Sequence, residues 1–128
     1  MSEPPAPYVD KWPHRVSLVF GPEVGLRETM RGTYEALTGT PMPEGAIEES
    51  REPRGFMIGV GQTYTYLLSI GDELWIRTED WWEDNIADPD EYTFMIAART
   101  NESMERAASA LLATAATHQW TLKRRQPA

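Results

Sequence analysis

Hydrophobic and polar residues alternate in six short segments of the chain, a pattern that predicts half-buried β-strands. The segments cover residues 14–20, 56–61, 64–70, 73–78, 91–99 and 118–124. Dipeptides at Gly61-Gln62 and Gly71-Asp72 separate three of them and indicate tight turns. One apolar and one more polar face on most strands is typical of an antiparallel sheet that is covered on one side.

Two other segments repeat hydrophobic residues at the spacing of an α-helix. The first covers residues 23–38 and ends at Gly39, because glycine is favoured at a helix C-terminus. Gly32 lies inside this helix, where glycine costs about 1 kcal/mol relative to alanine but allows a neighbour to pack closely. The second helix begins at Asn101, a residue type favoured at N-caps. The apolar stripes are Leu26, Met30, Tyr34 and Leu37 in the first helix and Met104, Ala107, Ala108, Leu111, Leu112 and Ala115 in the second.

The predicted elements follow one another as βα, then βββ, then βαβ. This order predicts an α+β fold, a two-layer sandwich in which a mainly antiparallel sheet of about five or six strands carries two helices on one face. The strand–helix–strand ends favour a ferredoxin-like arrangement with an added strand. We expect one domain over residues 14–125, with a loose proline-rich arm over 1–13 and a frayed tail over 126–128. Residues 40–55 are the longest irregular segment, with room for one helical turn over 47–51.

The composition is that of one ordinary globular domain of 128 residues, with 41% hydrophobic and 25% charged residues. The absence of cysteine excludes disulfides, thiolate metal sites and cysteine nucleophiles. The first residues lack the layout of a secretory signal, and no apolar run approaches the roughly 20 residues that span a bilayer. We therefore expect a cytoplasmic protein that does not insert into membranes.

The negative charge is concentrated in residues 72–91, which read DELWIRTEDWWEDNIADPDE. This acidic stretch holds nine acidic residues and a single base, Arg77, so it carries −8, which is also the formal net charge of the whole chain. Three of the five tryptophans, Trp75, Trp81 and Trp82, lie in it. A negative surface argues against direct binding of nucleic acid or anionic membrane and favours a cationic partner.

No residue pattern in the chain specifies a reaction. His14 and His118 are the only histidines, and each begins a predicted strand, so they could be neighbours in the sheet. We interpret them as exposed edge residues, because no pattern of a nucleophile with a base accompanies them. The glycine fragments at 21–25 and 59–61 lack the lysine and hydroxyl residue, or the third glycine, of a phosphate-binding loop. We therefore predict a protein that is not an enzyme and has no cofactor.

The dense carboxylates leave two chemical alternatives open. Asp84, Asp88, Asp90 and Glu91 supply oxygen ligands that suit calcium or magnesium, but their spacing is not that of an EF-hand loop, and we assign no metal site. Paired carboxylates beside tryptophans are also the residue types of glycosidases, so a small carboxylate-based hydrolase stays an alternative. The carboxylates in question are Glu79, Asp80, Glu83 and Asp84, beside Trp81 and Trp82.

The tryptophans indicate where the protein offers a contact surface. Trp75 has the opposite strand parity to Leu74 and Ile76, so we expect it on the sheet face away from the helices. Trp81 and Trp82 are adjacent and cannot easily enter the same small core, so at least one should be exposed. The candidate partner-binding residues are Trp75, Arg77, Glu79, Asp80, Trp81, Trp82, Glu83, Asp84, Asp88 and Asp90.

An exposed tryptophan among carboxylates is typical of a hot spot for a basic partner, because the ring supplies cation–π attraction and the acids steer association. The sequence thus predicts a non-catalytic module that binds and blocks a basic protein. Immunity proteins, antitoxins and other inhibitors of a nuclease toxin or a nucleic-acid-binding protein act in this way. The alternative is a ligand-sensing or assembly domain that forms a homodimer through the open sheet face, with Trp75 buried between protomers.

Overall fold

A computed structural model describes residues 11–53, 60–84 and 88–128 of the chain. Strands and helices account for most of these residues. They are β1 (His14–Phe20), α1 (Leu26–Thr38), β2 (Ile47–Pro53), β3 (Gly61–Ile70), β4 (Leu74–Glu83), β5 (Tyr92–Ala98), α2 (Asn101–Thr117) and β6 (Leu122–Pro127). The strand that the sequence predicts over 56–61 lies almost wholly outside the described residues, as does most of the arm over 1–13.

The strands form one sheet in the order β2-β3-β4-β5-β1-β6, and every neighbouring pair is antiparallel. Three strands separate β1 from β2, so these two run in the same direction, and so do β5 and β6 on either side of β1. β1–α1–β2 and β5–α2–β6 are therefore split strand–helix–strand units, as in a ferredoxin-like sheet. The β3–β4 hairpin, rather than a single added strand, lies between β2 and β5.

Both helices pack on one face of the sheet and form the main hydrophobic core with it. Strand residues of one parity enter this core, which is why the sequence alternates in β1 and β5. The rings of Phe20 and Phe94 meet edge to face, with 5.8 Å between their centres. The buried strand residues are Val16, Leu18, Phe20, Leu68, Ile70, Leu74, Ile76, Phe94, Ile96 and Ala98. The predicted two-layer α+β sandwich is therefore confirmed.

Local signals set the ends of the helices. Gly39 caps α1 with a φ of 72°, and its amide donates a hydrogen bond to the carbonyl of Glu35 at 2.9 Å. Thr100, one residue before the predicted Asn101, caps α2 by accepting a hydrogen bond from the Ser103 amide at 3.1 Å. The predicted stripe of α2 is buried at Met104, Ala107, Ala108, Leu111 and Ala115 and partly buried at Leu112.

Several strand boundaries differ from the sequence prediction. Residues 47–53 form the edge strand β2 instead of a helical turn, and they show no alternation because only Ile47 packs against the core. Gly61 begins β3 rather than forming a hairpin turn, since it pairs with Glu83 of β4. β6 starts at Leu122 and extends to Pro127, past the predicted domain limit, because it pairs with β1.

The sheet face away from the helices carries a second, smaller hydrophobic cluster. It consists of Trp12, Trp75 and Ala97, with Leu67 and Met95 packed against it. The indole of Trp12 meets Trp75 edge-on, with 6.3 Å between ring centres, and only 1% of Trp75 stays exposed. Trp75 therefore lies on the predicted face, where Trp12 and the guanidinium of Arg15, 5.6 Å from the Trp75 ring centre, pack against it.

Candidate functional site

The acidic stretch over residues 72–91 is divided between the two ends of the sheet. Asp72 and Glu73 precede β4, whereas residues 79–84 and 88–91 lie where β4 ends and β5 begins. Lys11 lies 2.8 Å and Arg99 lies 2.5 Å from the Asp72 carboxylate. Hydrogen bonds from these two cations lower the pKa of Asp72. The first end of the stretch is therefore compensated by bases of the same chain.

Two further carboxylates are held by intramolecular ion pairs. Arg124 donates two hydrogen bonds of 2.8 Å to Glu91, and Lys123 lies 3.3 Å from it. Hydrogen bonds from Arg124 and then Lys123 lower the pKa of Glu91 to about 2. Arg77, whose side chain is only 11% exposed, pairs with Glu79. The predicted partner-binding residues Arg77 and Glu79 are therefore bound to each other.

Residues 79–84, which read EDWWED, belong to β4 and its continuation rather than to an irregular segment. β4 runs to Glu83, and the amide of Asp84 still donates to the carbonyl of Val60 at 2.7 Å. The prediction failed here because neither face of this end is fully buried, so apolar residues do not alternate. Successive strand residues point to opposite faces. The hexapeptide is therefore sorted into two acid–tryptophan–acid triplets, Asp80–Trp82–Asp84 on the helix side and Glu79–Trp81–Glu83 on the other side.

Trp82 is the exposed member of the tryptophan pair. It is 39% exposed, and within residues 11–53, 60–84 and 88–128 it is the one exposed large hydrophobic side chain. Its Nε1 donates a hydrogen bond to the hydroxyl of Tyr64 at 3.3 Å, which orients the indole along β3. Trp81 is half-buried. The expectation that at least one of these adjacent tryptophans is exposed is confirmed.

Three aspartates at this end of the sheet retain an uncompensated charge. Asp84, Asp88 and Asp90 are exposed, and none of them forms an ion pair within the part of the chain that the structure describes. Together with Asp80 and Trp82 they form what we call the acidic Trp82 surface. Glu83 is half-buried and lies on the opposite strand face.

A cleft of about 300 Å³ lies next to Asp80, where α1 begins. Tyr66 and Tyr92 line it, and the Tyr92 hydroxyl donates a hydrogen bond to Asp80 Oδ1 at 3.0 Å. Burial, this hydrogen bond and the charges of Asp80 and Asp88 raise the pKa of Tyr92 to about 12. Burial and then the charge of Glu49 raise the pKa of Tyr66. The cleft is therefore aromatic and negatively charged.

Strand alternation gives Tyr66 and Tyr92 the parity of core positions and does not show their part in this cleft. Both share the parity of the buried Leu68 and Phe94, and both pack partly against the core. They differ because they stand nearer the end of the sheet where α1 begins, so their hydroxyl ends meet Asp80 and the cleft. A side chain with a hydroxyl group at a core-parity strand position was the available signal.

The histidines do not form a site of the kind that nucleophilic catalysis needs. His14 begins β1 as predicted and is exposed. His118 ends α2 instead of starting a strand, and it stacks on Trp120 with 4.3 Å between ring centres. Within the described residues, no three acidic or histidine side chains converge as a metal ion would require. Neither α1 nor α2, the helices of the described residues, is long and apolar enough to cross a membrane.

Known proteins offer no guide to this geometry. The chain matches no family model, no curated protein and no solved structure. The chemistry of the surface therefore follows from its groups alone. Carboxylates without intramolecular counter-ions, an exposed indole and an aromatic cleft all attract cations.

Proposed function

We propose that the protein binds a basic partner protein through the acidic Trp82 surface and blocks it. The observation that supports this most is the exposed Trp82 between Asp80 and Asp84 on one strand face. An indole in this setting can be desolvated by a partner and can stack on an arginine or lysine, while the flanking carboxylates pair with other bases. Tryptophan is also among the residues that most often dominate the affinity of an interface.

The uncompensated aspartates explain how such a partner would be selected. Asp84, Asp88 and Asp90 lie at one end of the sheet and form no ion pair with the described residues, so their negative charges add up at one place on the surface. This arrangement speeds association with a basic surface and rejects acidic proteins. A basic surface that binds nucleic acid uses the same cations for phosphates. Covering them would block a nuclease toxin or another nucleic-acid-binding protein in the cytoplasm.

The alternative of a homodimer through the open sheet face is less well supported, because Trp75, the residue on which it depends, is not exposed. That hypothesis needs Trp75 to be buried between two protomers, yet Trp12 already buries it within one chain. The carboxylate hydrolase is also less well supported. Strand parity places Glu79 and Glu83 on the face opposite to Asp80 and Asp84, so the four carboxylates do not face one cleft.

The proposal is tested by charge reversal at the three uncompensated aspartates. We expect the Asp84→Lys/Asp88→Lys/Asp90→Lys variant to bind the basic partner at least about tenfold more weakly, because close opposite charges are replaced by like charges. We expect Trp82→Ala to lose roughly 2 kcal/mol of binding free energy, as at other interface hot spots. The measurement is capture from a lysate of the source cell at low salt, release by high salt, and titration of the released protein.

A matched variant distinguishes an effect of the acidic Trp82 surface on binding from an effect of the net charge of the chain. Glu44, Glu48 and Glu102 are exposed and lie away from residues 79–91 in the sequence and the sheet. Reversing these three to lysine changes the net charge by the same amount and should leave most of the affinity intact. Equal capture of the same proteins by the wild type and by the aspartate variant would exclude the acidic Trp82 surface as the binding site.

A further inference from the structure

The cleft next to Asp80 has the size and lining of a receptor for one long side chain. Its volume of about 300 Å³ is at the lower end of ligand pockets, which is too small for a large cofactor. Residues from the start of α1 and from β3, β4 and β5 line it. Those that carry the argument are Val24, Leu26, Arg27, Tyr66, Asp80 and Tyr92.

Asp80 presents a carboxylate oxygen whose orientation is fixed by the protein. Its Oδ1 accepts hydrogen bonds from the Tyr92 hydroxyl at 3.0 Å and from the Trp81 amide at 2.8 Å. Within the part of the chain that the structure describes, no donor reaches Oδ2. A ligand donor can therefore bind Oδ2 without displacing an intramolecular hydrogen bond.

Guanidinium groups of the same chain already lie over two tyrosine rings on this side of β3. The guanidinium carbon of Arg27 lies 4.9 Å from the ring centre of Tyr66, and its Nη2 pairs with Glu49 at 2.5 Å. The guanidinium carbon of Arg51 lies 5.8 Å from the ring centre of Tyr64. Half-buried tyrosine rings on this side of the sheet therefore accept guanidinium groups, and Tyr92 is the tyrosine of the cleft over which no cation of the described residues lies.

The charges around the cleft favour a cation over an anion. Arg27 is compensated by Glu49, whereas neither Glu28 nor Asp80 has a basic partner among the described residues. The start of α1 does not offer a free anion site, because the Glu28 carboxylate lies so close to Gly25 that an added Cβ would approach it to 2.5 Å.

We propose that this cleft receives one arginine side chain of the basic partner, whose guanidinium donates to Asp80 Oδ2 and stacks on the ring of Tyr92. The inference rests on the proposed function, since it names the group by which the partner is held. A guanidinium fits better than an ammonium because it is planar, carries five donors and stacks on aromatic rings. The methylene groups of the arginine would contact Val24 and Leu26.

The test uses a blocked amino acid in place of the unidentified partner. Titration of isotope-labelled protein with N-acetyl-arginine amide, followed by NMR, should shift the resonances of Tyr66, Asp80 and Tyr92 in a saturable way. The lysine analogue should bind more weakly, and the citrulline analogue, which has the same shape without the charge, should not bind. Asp80→Asn should weaken arginine binding by about tenfold, because a charge-assisted hydrogen bond is lost.

Two further variants make the result specific. In Asp80→Asn the amide oxygen of the new side chain can still accept from Tyr92 and Trp81, so this variant should retain the fold, which its NMR spectrum will show. Glu48→Gln removes one exposed carboxylate outside the cleft and should bind arginine like the wild type. Arg27→Gln removes a like charge from the cleft and should tighten binding. Undiminished binding by Asp80→Asn would overturn the inference, and so would loss of binding in Arg27→Gln, because removal of a like charge cannot weaken the electrostatic attraction of a cation.

The inference and the proposed function can fail separately. If a basic protein binds the acidic Trp82 surface but Asp80→Asn leaves its affinity unchanged, the arginine site is wrong and the proposed function stands. If N-acetyl-arginine amide binds through Asp80 but charge reversal at Asp84, Asp88 and Asp90 does not alter capture of any protein, the proposed function is wrong and the cleft is a site for a small guanidinium compound.

Discussion

At the scale of single residues, strand parity decides what each member of the hexapeptide EDWWED can do. Glu79 and Asp80 are neighbours with the same charge, yet Glu79 pairs with Arg77 on one face and Asp80 accepts a hydrogen bond from Tyr92 on the other. Trp81 and Trp82 are separated in the same way. The exposed indole of Trp82 and the available carboxylate oxygen of Asp80 therefore lie on the same face because of the alternation of side chains along the strand.

Gly32 is a second position where one atom decides the packing. A Cβ built on Gly32 in α1 would lie 2.3 Å from Thr114 Cγ2 and 2.7 Å from Thr114 Oγ1 in α2. These distances are far below van der Waals contact, and the threonine side chain is short and cannot swing away as a lysine could. Glycine therefore allows the two helices to cross closely, as its place inside a helix predicted.

We predict that Gly32→Ala lowers the free energy of unfolding, although alanine is the better helix former. The helix propensity of alanine contributes about 1 kcal/mol, and overpacking typically removes about 1–3 kcal/mol, so the net loss should be roughly 1 kcal/mol. Urea unfolding measures it. In the Gly32→Ala/Thr114→Ala variant the closest atom would be Cβ of residue 114, at 3.1 Å, so much of the loss should be recovered. A more stable Gly32→Ala protein would contradict the close crossing.

At the scale of elements, the two edge strands of the sheet have opposite charge. β2 carries Glu48, Glu49 and Glu52 with one arginine, whereas β6 carries Lys123, Arg124 and Arg125. Charged side chains at sheet edges oppose pairing with other chains. On β6 the bases also attach the strand to the protein, because Arg124 binds Glu91 before β5 and Arg125 binds Glu105 of α2 at 2.6 Å.

We predict that Glu91 makes the stability of the protein depend on acid pH. Its pKa falls from 4.5 to about 2 in the folded chain, so its contribution is complete above pH 4.5 and is lost as the pH falls toward 2. As the pH falls between these values, the free energy of unfolding should therefore decrease less in Glu91→Gln than in the wild type. Urea unfolding at a series of pH values checks this prediction, and high salt should reduce the difference because the ion pair is exposed.

Replacement of the partner bases provides the control for this effect. Lys123→Gln/Arg124→Gln removes the cations that hold Glu91 and should give the same shallow pH dependence as Glu91→Gln. Asp72, whose pKa is also lowered, is unchanged in both variants and so cancels from the comparison. If the free energy of unfolding changed with pH equally in the wild type and in Glu91→Gln, the ion pair would not stabilise the fold.

At the scale of the whole molecule, the protein has hydrophobic clusters on both faces of its sheet. The helices cover one face, and on the other Trp12 packs on Trp75 in a cluster with Ala97, against which Leu67 and Met95 lie. Only 6% of Trp12 is exposed. A residue that the sequence places in a loose arm therefore closes the second cluster.

We predict that Trp12→Ala destabilises the whole domain. Truncation of a buried aromatic residue typically costs about 3 kcal/mol or more, and here it would also open Trp75 to water. The free energy of urea unfolding measures the loss. His14→Ala changes an exposed residue two positions along and should have little effect. A loss well below about 1 kcal/mol for Trp12→Ala would mean that Trp12 does not close the open face.

The sequence alone predicted much of the fold because periodicity reflects a one-sided core. β1 has the predicted bounds, α2 buries its predicted stripe, and two helices cover one face of a mainly antiparallel sheet. Where a segment has no fully buried face, the prediction failed. β2 and the end of β4 are strands because β3 supplies their hydrogen bonds, not because their own side chains alternate.

The candidate site was determined partly by the sequence and completed only by the tertiary structure. The sequence determined that charge and tryptophan are concentrated in residues 72–91 and that Trp81 and Trp82 cannot easily share one core. Only the folded chain decided which charges are available, because the bases that hold Asp72 and Glu91 come from distant segments. It also decided that Trp75 is covered and that Asp80 meets two tyrosines. Ion pairs and clefts of this kind join residues that are far apart in the chain, and local periodicity carries no information about them.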